Sequence, residues 1–272
     1  MQTFQIPSQD AVLHARLEGP ANAPVITLLH TLATTMALYD EQARDLAASY
    51  RVLRLDMRGH GQSTAGPNTS TGQTDPETAY TLAALAQDVI TVWDHLGIKT
   101  SHLLGLSIGG MIALEVALTH PSRVTSLIAA DCRADVPPPF LALWPARRAL
   151  LAEHGLSAVA DATLPTWFTP SALPEAIAEA RAMILETSPA GYYGATRALE
   201  GVNITPRLPS LKTPTLFLAG SNDGVFPQAA HAMAEASPNS RAHIIQGPAH
   251  LPNLEAPAAF AAAITPFLKA NA

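Results

Sequence analysis

Ser107 sits in Gly105-Leu106-Ser107-Ile108-Gly109, a G-x-S-x-G pattern. A serine hydroxyl becomes a useful nucleophile when a base takes its proton. That base is expected in a loop after a late strand, and His250, in Gly247-Pro248-Ala249-His250, fits. An acid must then hold the other imidazole nitrogen and stabilise its charged form. Asp223, in Gly220-Ser221-Asn222-Asp223, is the first candidate, and Asp131, directly after VTSLIAA, is its competitor. The tetrahedral intermediate needs two backbone N–H donors for its oxyanion. Ile108 follows the nucleophile, and Leu32 is chosen by position from the loop His30-Thr31-Leu32-Ala33-Thr34-Thr35. The chemistry such a set could do is acyl transfer through an acyl-serine. His30 and His60 (in Arg58-Gly59-His60-Gly61) read as loop-shaping residues.

These residues need elements to hold them. Short apolar runs cover residues 25–30 (VITLLH), 51–56, 102–106, 124–130, 215–219 and 242–246. Runs of four to seven β-rich residues between turn signals suit strands buried on both faces. Helical patterns cover 38–48, 81–96, 108–119, 227–236 and 257–269. In residues 81–96, Leu82, Leu85, Val89, Val92, Trp93 and Leu96 recur at amphipathic spacing before a capping Gly97. Such alternation predicts a mostly parallel central sheet flanked by helices, an α/β fold. Residues 4–6 and 12–17 suit an antiparallel hairpin on one edge. Ser107 falls where a strand turns into a helix, a turn too crowded for side chains at its glycines. From 135 to 209 the strand rhythm stops, and helical patterns at 141–154, 173–185 and 192–201 take over. The expected organisation is a core of residues 1–134 and 210–272, with a helical cap of 135–209 inserted after the sixth strand.

Composition excludes several classes. Of 272 residues, 48% are hydrophobic and only 14% charged, the reverse of a disordered chain. Sixteen Lys+Arg against 22 Asp+Glu leave a net charge of −6, so no basic footprint for nucleic acid exists. The single cysteine, Cys132, excludes an intrachain disulfide and a cysteine-cluster zinc site. No basic start with an apolar run is seen, and no apolar stretch approaches the roughly 18 residues of a spanning helix. A compact cytoplasmic protein with no membrane partner is expected.

Taken together, the chain resembles the α/β-hydrolase family. The resemblance rests on the His30-Thr31 loop, Asp56-Met57-Arg58-Gly59-His60-Gly61-Gln62-Ser63, GLSIGG at 105–110, Gly220 to Asp223 and Gly247 to His250. It implies the α/β-hydrolase fold and the order Ser107, Asp223, His250. Members of this family place the acid at either candidate position. More narrowly, the chain looks like the 3-oxoadipate enol-lactonase branch. RVLRLD at 51–56, Trp167-Phe168-Thr169-Pro170, Thr187-Ser188-Pro189-Ala190-Gly191-Tyr192 and His250-Leu251-Pro252-Asn253-Leu254-Glu255 carry that likeness. The branch usually has Asn-Ser-Leu-Gly at the oxyanion loop, where this chain has His30-Thr31-Leu32-Ala33. The run Asp131 to Pro137 differs too, and the Thr- and Gly-containing stretch 67–75 is longer than expected.

The resemblance implies a serine hydrolase of a small ester or lactone, with no metal and no organic cofactor. Arg133, directly after the fourth core strand, is the candidate for binding a substrate carboxylate, which suits a planar guanidinium. Trp144 and Trp167 are candidate pocket aromatics. Haloalkane dehalogenases and epoxide hydrolases use aspartate where Ser107 stands. A carbon–carbon bond hydrolase, an acyltransferase and a perhydrolase share the triad and stay open, as does a ligand-binding relative that does not cleave. A homodimer through the cap or the final helix also stays open.

Overall fold

The computed structural model describes residues 1–66 and 80–272, so the stretch 67–75 lies outside the described residues. The chain runs β1 (Gln2–Ser8), β2 (Ala11–Glu18), β3 (Val25–Leu29), α1 (Asp40–Leu46), β4 (Arg51–Leu55), α2 (Leu82–His95), β5 (Ser101–Leu106), α3 (Ile108–Thr119) and β6 (Val124–Ala130). Three helices follow: α4 (Pro138–Trp167), α5 (Pro174–Glu186) and α6 (Pro189–Glu200). The chain then returns through β7 (Thr215–Gly220), α7 (Phe226–Ala236), β8 (Ser240–Ile245), the short α8 (Pro252–Glu255) and α9 (Pro257–Ala270).

The eight strands form one sheet in the order β1-β2-β4-β3-β5-β6-β7-β8. β1 with β2 and β2 with β4 pair antiparallel, and every other neighbour is parallel. The α/β fold and the edge hairpin expected from the sequence are therefore present. Leu29, Gly105, Ala129 and Phe217 lie side by side across β3, β5, β6 and β7. The loops after these strands consequently open on one rim, the carboxyl end where open α/β sheets bind ligands.

Central strands bury both faces, and β5 and β7 are buried along their whole length. β8 departs from that expectation. Residues 240–244 alternate between half-buried and exposed, and only Ile245 is buried, because β8 is an edge strand with one face toward solvent. α3 runs beside β5 and β6 and is buried for most of its length, as its apolar circumference requires. α2 buries the predicted stripe, including Leu85, Val89, Val92 and Trp93. Thr81 caps it by accepting the Ala84 N–H, and Gly97 ends it at φ 67°.

The inserted helices each begin on proline, where a missing N–H costs nothing. The sequence reading ended the first of them near residue 154. The helical path does break there, at Gly155 (φ 72°, ψ −173°), a conformation that only glycine takes easily, but it resumes and runs to Trp167, which the pattern did not show. Among the described residues, no helix is long and apolar enough to cross a membrane.

Candidate active site

Ser107 occupies the turn between β5 and α3 with φ 57° and ψ −120°, a strained backbone for a residue with a side chain. The surroundings hold it there. Its N–H donates to the Ala130 carbonyl at 2.8 Å, and its carbonyl accepts the Met111 N–H at 3.1 Å. The flanking glycines are obligatory for space. A Cβ on Gly105 would lie 2.1 Å from the Gly109 carbonyl oxygen, and one on Gly109 would lie 2.2 Å from that of Leu29. The Ser107 hydroxyl bonds to no described residue, which leaves it free to turn toward a base or a substrate.

His250 is fixed from several sides. Its Nδ1 lies 2.7 Å from Asp223 Oδ2, which places the proton on Nδ1 and leaves Nε2 as an acceptor. Its backbone N–H donates to the Trp167 carbonyl at 3.1 Å. Its ring stacks on Trp167, with centroids 6.2 Å apart at 27°, and meets Phe226 at 5.1 Å. Glu255 clasps the same loop: Oε2 accepts the Ala249 N–H at 2.8 Å, and Oε1 accepts the Thr169 N–H at 3.0 Å and the Thr169 hydroxyl.

Of the two acid candidates, Asp223 holds the histidine. Asp131 lies behind it, fully buried and at φ 45°. Its Oδ1 accepts the Gly220 N–H at 2.8 Å.

The loop after β3 is built on His30. Met57 N–H donates to His30 Nε2 at 2.9 Å, so the ring proton sits on Nδ1 and donates to the Thr31 carbonyl at 2.8 Å. Burial pushes the His30 pKa down and keeps the ring neutral. The Thr31 carbonyl also accepts the Thr34 hydroxyl at 2.9 Å and the Thr34 N–H at 3.3 Å. In a trans peptide the next N–H points opposite to the carbonyl, so the Leu32 N–H faces the other side of the loop. Ile108 opens α3, where the first amides lack intrahelical acceptors.

Ser107, Asp223, His250 and Leu32 line one cavity of about 440 Å³ with Arg133, Trp144 and Trp167. Arg133 Nη2 donates to Asp135 Oδ1 at 2.9 Å, its guanidinium lies 5.6 Å from the Phe140 ring, and its Nε is buried without a partner among the described residues. The sequence reading missed Phe140, Arg147, Tyr192 and Phe226, which also line the cavity. Phe140, Trp144 and Arg147 stand at helical spacing on α4, the signal that could have found two of them from Trp144. Arg147 is tied to the Thr163 hydroxyl at 3.2 Å and the Ala162 carbonyl at 2.7 Å. Burial pushes the Tyr192 hydroxyl up to about 12, against the pull of Arg147 and Arg148.

A family model described as alpha/beta hydrolase fold matches residues 24–257. The chain is 30% identical to 3-oxoadipate enol-lactonase 1 of Acinetobacter baylyi over 264 residues, 96% of this chain and 94% of that one. The crystal structure of the enol-lactonase from Burkholderia xenovorans LB400 superposes with a TM-score of 0.89 at 29% identity, covering 98% and 100% of the two chains. A malate-bound thermophilic esterase from Thermogutta terrifontis matches with a TM-score of 0.89 at 27% identity over 99% of each chain. With its strand order and its serine turn already matching that architecture, the chain belongs to the alpha/beta hydrolase fold family.

Proposed function

We propose that the protein hydrolyses a small carboxylic ester or lactone through an acyl-enzyme on Ser107. The observation that carries this reading is the 2.7 Å His250–Asp223 hydrogen bond in the cavity that Ser107 enters from its strained turn. His250 Nε2 takes the Ser107 proton as Oγ attacks the acyl carbon, while Asp223 stabilises the imidazolium. The Ile108 and Leu32 amides receive the oxyanion, and the His30 network fixes the Leu32 amide beforehand. As the intermediate collapses, His250 returns the proton to the leaving alkoxide. For a lactone that alcohol stays tethered to the acyl group. Water, deprotonated by His250, then attacks the acyl-serine and releases the acid. These steps use only the chain's own residues.

The inserted helices act as a cap that roofs the cavity and selects the substrate. A cavity of about 440 Å³ suits a small molecule. Arg133, which lines the cavity while its Nη2 holds Asp135, is the group we assign to a carboxylate on the substrate. Relatives named as enol-lactonases, and an esterase relative with malate bound, support that choice.

The test is hydrolysis of an activated acyl ester by the parent and by Ser107→Ala. The variant should lose about 10⁴-fold or more in kcat; activity that survives it removes Ser107 as the nucleophile, and a parent without activity favours a binding role. A panel of lactones, enol-lactones and open esters, with and without a carboxylate, then defines the substrate. Arg133→Leu should lower kcat/KM about 10- to 100-fold for the carboxylate-bearing members alone, as expected for a lost charge-assisted hydrogen bond. An equal loss for neutral esters rejects the assignment.

A further inference from the structure

The hydrolytic steps leave Asp131, the carboxyl group beside Asp223 and His250, unused. Asp131 ends β6 with no exposure at all, and its left-handed φ of 45° is held by its own N–H donating to the Leu218 carbonyl at 2.8 Å. One carboxylate oxygen of each of Asp131 and Asp223 and one ring nitrogen of His250 lie within 4.8 Å of one another. Oδ1 of Asp131 is satisfied by the Gly220 N–H, whereas Oδ2 is buried with no donor among the described residues facing it. No Arg or Lys among the described residues pairs with either carboxyl group. The other titratable groups around Asp131 are the Tyr39 hydroxyl, which feels its charge, the Cys132 thiol and His250.

Two ionised carboxylates this close, with no Arg or Lys among the described residues beside them, repel each other in a buried setting. Asp223 must be ionised to orient His250. An oxygen that faces no donor, beside a carboxylate that only accepts, is placed to carry a proton itself. We propose that Asp131 is a positioning residue, a neutral carboxylic acid whose Oδ2–H hydrogen-bonds to Asp223 and pins the carboxylate that orients His250. This rests on Asp223 being the acid of the triad. Burial and the Asp223 charge push the Asp131 pKa well up, in keeping with that state. Asp131 keeps its proton through the cycle. Its hydrogen bond draws charge from Asp223, so His250 is a weaker base than it would be beside a lone buried carboxylate.

The test combines infrared difference spectroscopy with pH profiles of ester hydrolysis. The parent at neutral pH should show a protonated-carboxyl stretch that Asp131→Asn removes and Ser107→Ala retains. In Asp131→Leu, kcat should fall about tenfold with KM within about twofold, as for one lost hydrogen bond. Its acidic limb should move to higher pH, because the unneutralised Asp223 holds the His250 proton harder. Asp131→Asn keeps a donor, so its limb should stay in place and its kcat should lie within about threefold of the parent. An absent stretch overturns the proposal. So does a limb that moves to lower pH in both variants, the mark of losing an ionised neighbour, or an Asp131→Leu profile identical to the parent's. Asp131→Asn as inactive as Ser107→Ala would make Asp131 the triad acid instead. If Asp131→Leu does not fold, Asp131→Asn and the stretch decide. Activity surviving in Ser107→Ala would sink only the assignment of Ser107 as nucleophile, since the stretch reports Asp131 without catalysis.

Discussion

Replacing Glu255 by glutamine tests whether the inserted helices and the base loop are held by a single carboxylate. Glu255 takes the Thr169 N–H and hydroxyl on one oxygen and the Ala249 N–H on the other. A carboxamide offers one acceptor and one donor. Its better orientation keeps oxygen toward the two Thr169 donors and sets NH₂ against the Ala249 N–H. One charge-assisted hydrogen bond, worth about 1.5–3 kcal/mol, is lost, and the other two weaken to neutral strength. The expected cost is about 2–4 kcal/mol, reduced toward the lower figure because Glu255 is only half-buried. At about 2–4 °C per kcal/mol for a chain near this size, a cost of about 2 kcal/mol should lower Tm by about 4–8 °C. Ala249 directly precedes His250, so kcat should fall several-fold with a smaller change in KM. Thermal unfolding by circular dichroism, with ester hydrolysis on the same samples, reads both. A Glu255→Gln protein that melts within about 1 °C of the parent and turns over at its rate would refute the reasoning.

Two further outcomes follow from the geometry. Gly109→Ala places a Cβ 2.2 Å from one backbone carbonyl oxygen and 2.6 Å from the next, those of Leu29 and His30. Backbone atoms cannot swing aside, so the cost should reach about 3 kcal/mol, read as a lower urea midpoint with kcat reduced through the displaced Ile108 amide; an unchanged midpoint would contradict it. His60, fully buried, is lowered by burial from 6.5 to about 3. The unfolded chain therefore binds the extra proton between those values, so this contribution is complete above about pH 6.5 and falls as pH drops, by about 2 kcal/mol at pH 5. His60→Gln should flatten that part of the urea-stability profile, and equal parent stability at pH 7.5 and 5 would rule the mechanism out.

Local sequence was a good guide where local constraints dominate. Gly105, Ser107 and Gly109 are dictated by the approach of α3 to β3 and β5, and that crowding is written into the pattern itself. The amphipathic spacing of α2 and its Gly97 end were equally readable. Long-range partners were not. His30 owes its tautomer to an amide 27 residues away, that of Met57, and Glu255 reaches back to Thr169. The choice between Asp223 and Asp131 was open in the sequence because both strand ends deliver a carboxyl group to the same few ångströms. The cavity walls were hardest to foresee. Phe226 comes from α7 and Tyr192 from α6, and nothing in their own segments says which face meets His250 or Arg147.

The hydrogen bond from the His250 amide to the Trp167 carbonyl bears on how such a protein diversifies. Trp167 closes α4, so the base is seated partly on the segment that shapes the cavity. An insertion recombined from another lineage would arrive with a seat fitted to a different loop. It would disturb proton transfer in the act of changing what enters. Point substitutions along the walls, at positions such as Trp144 or Tyr192, carry no such penalty. Inheritance of new preferences should then proceed residue by residue within an insertion, and grafting experiments should succeed only when residues 167–169 and 249–255 travel together.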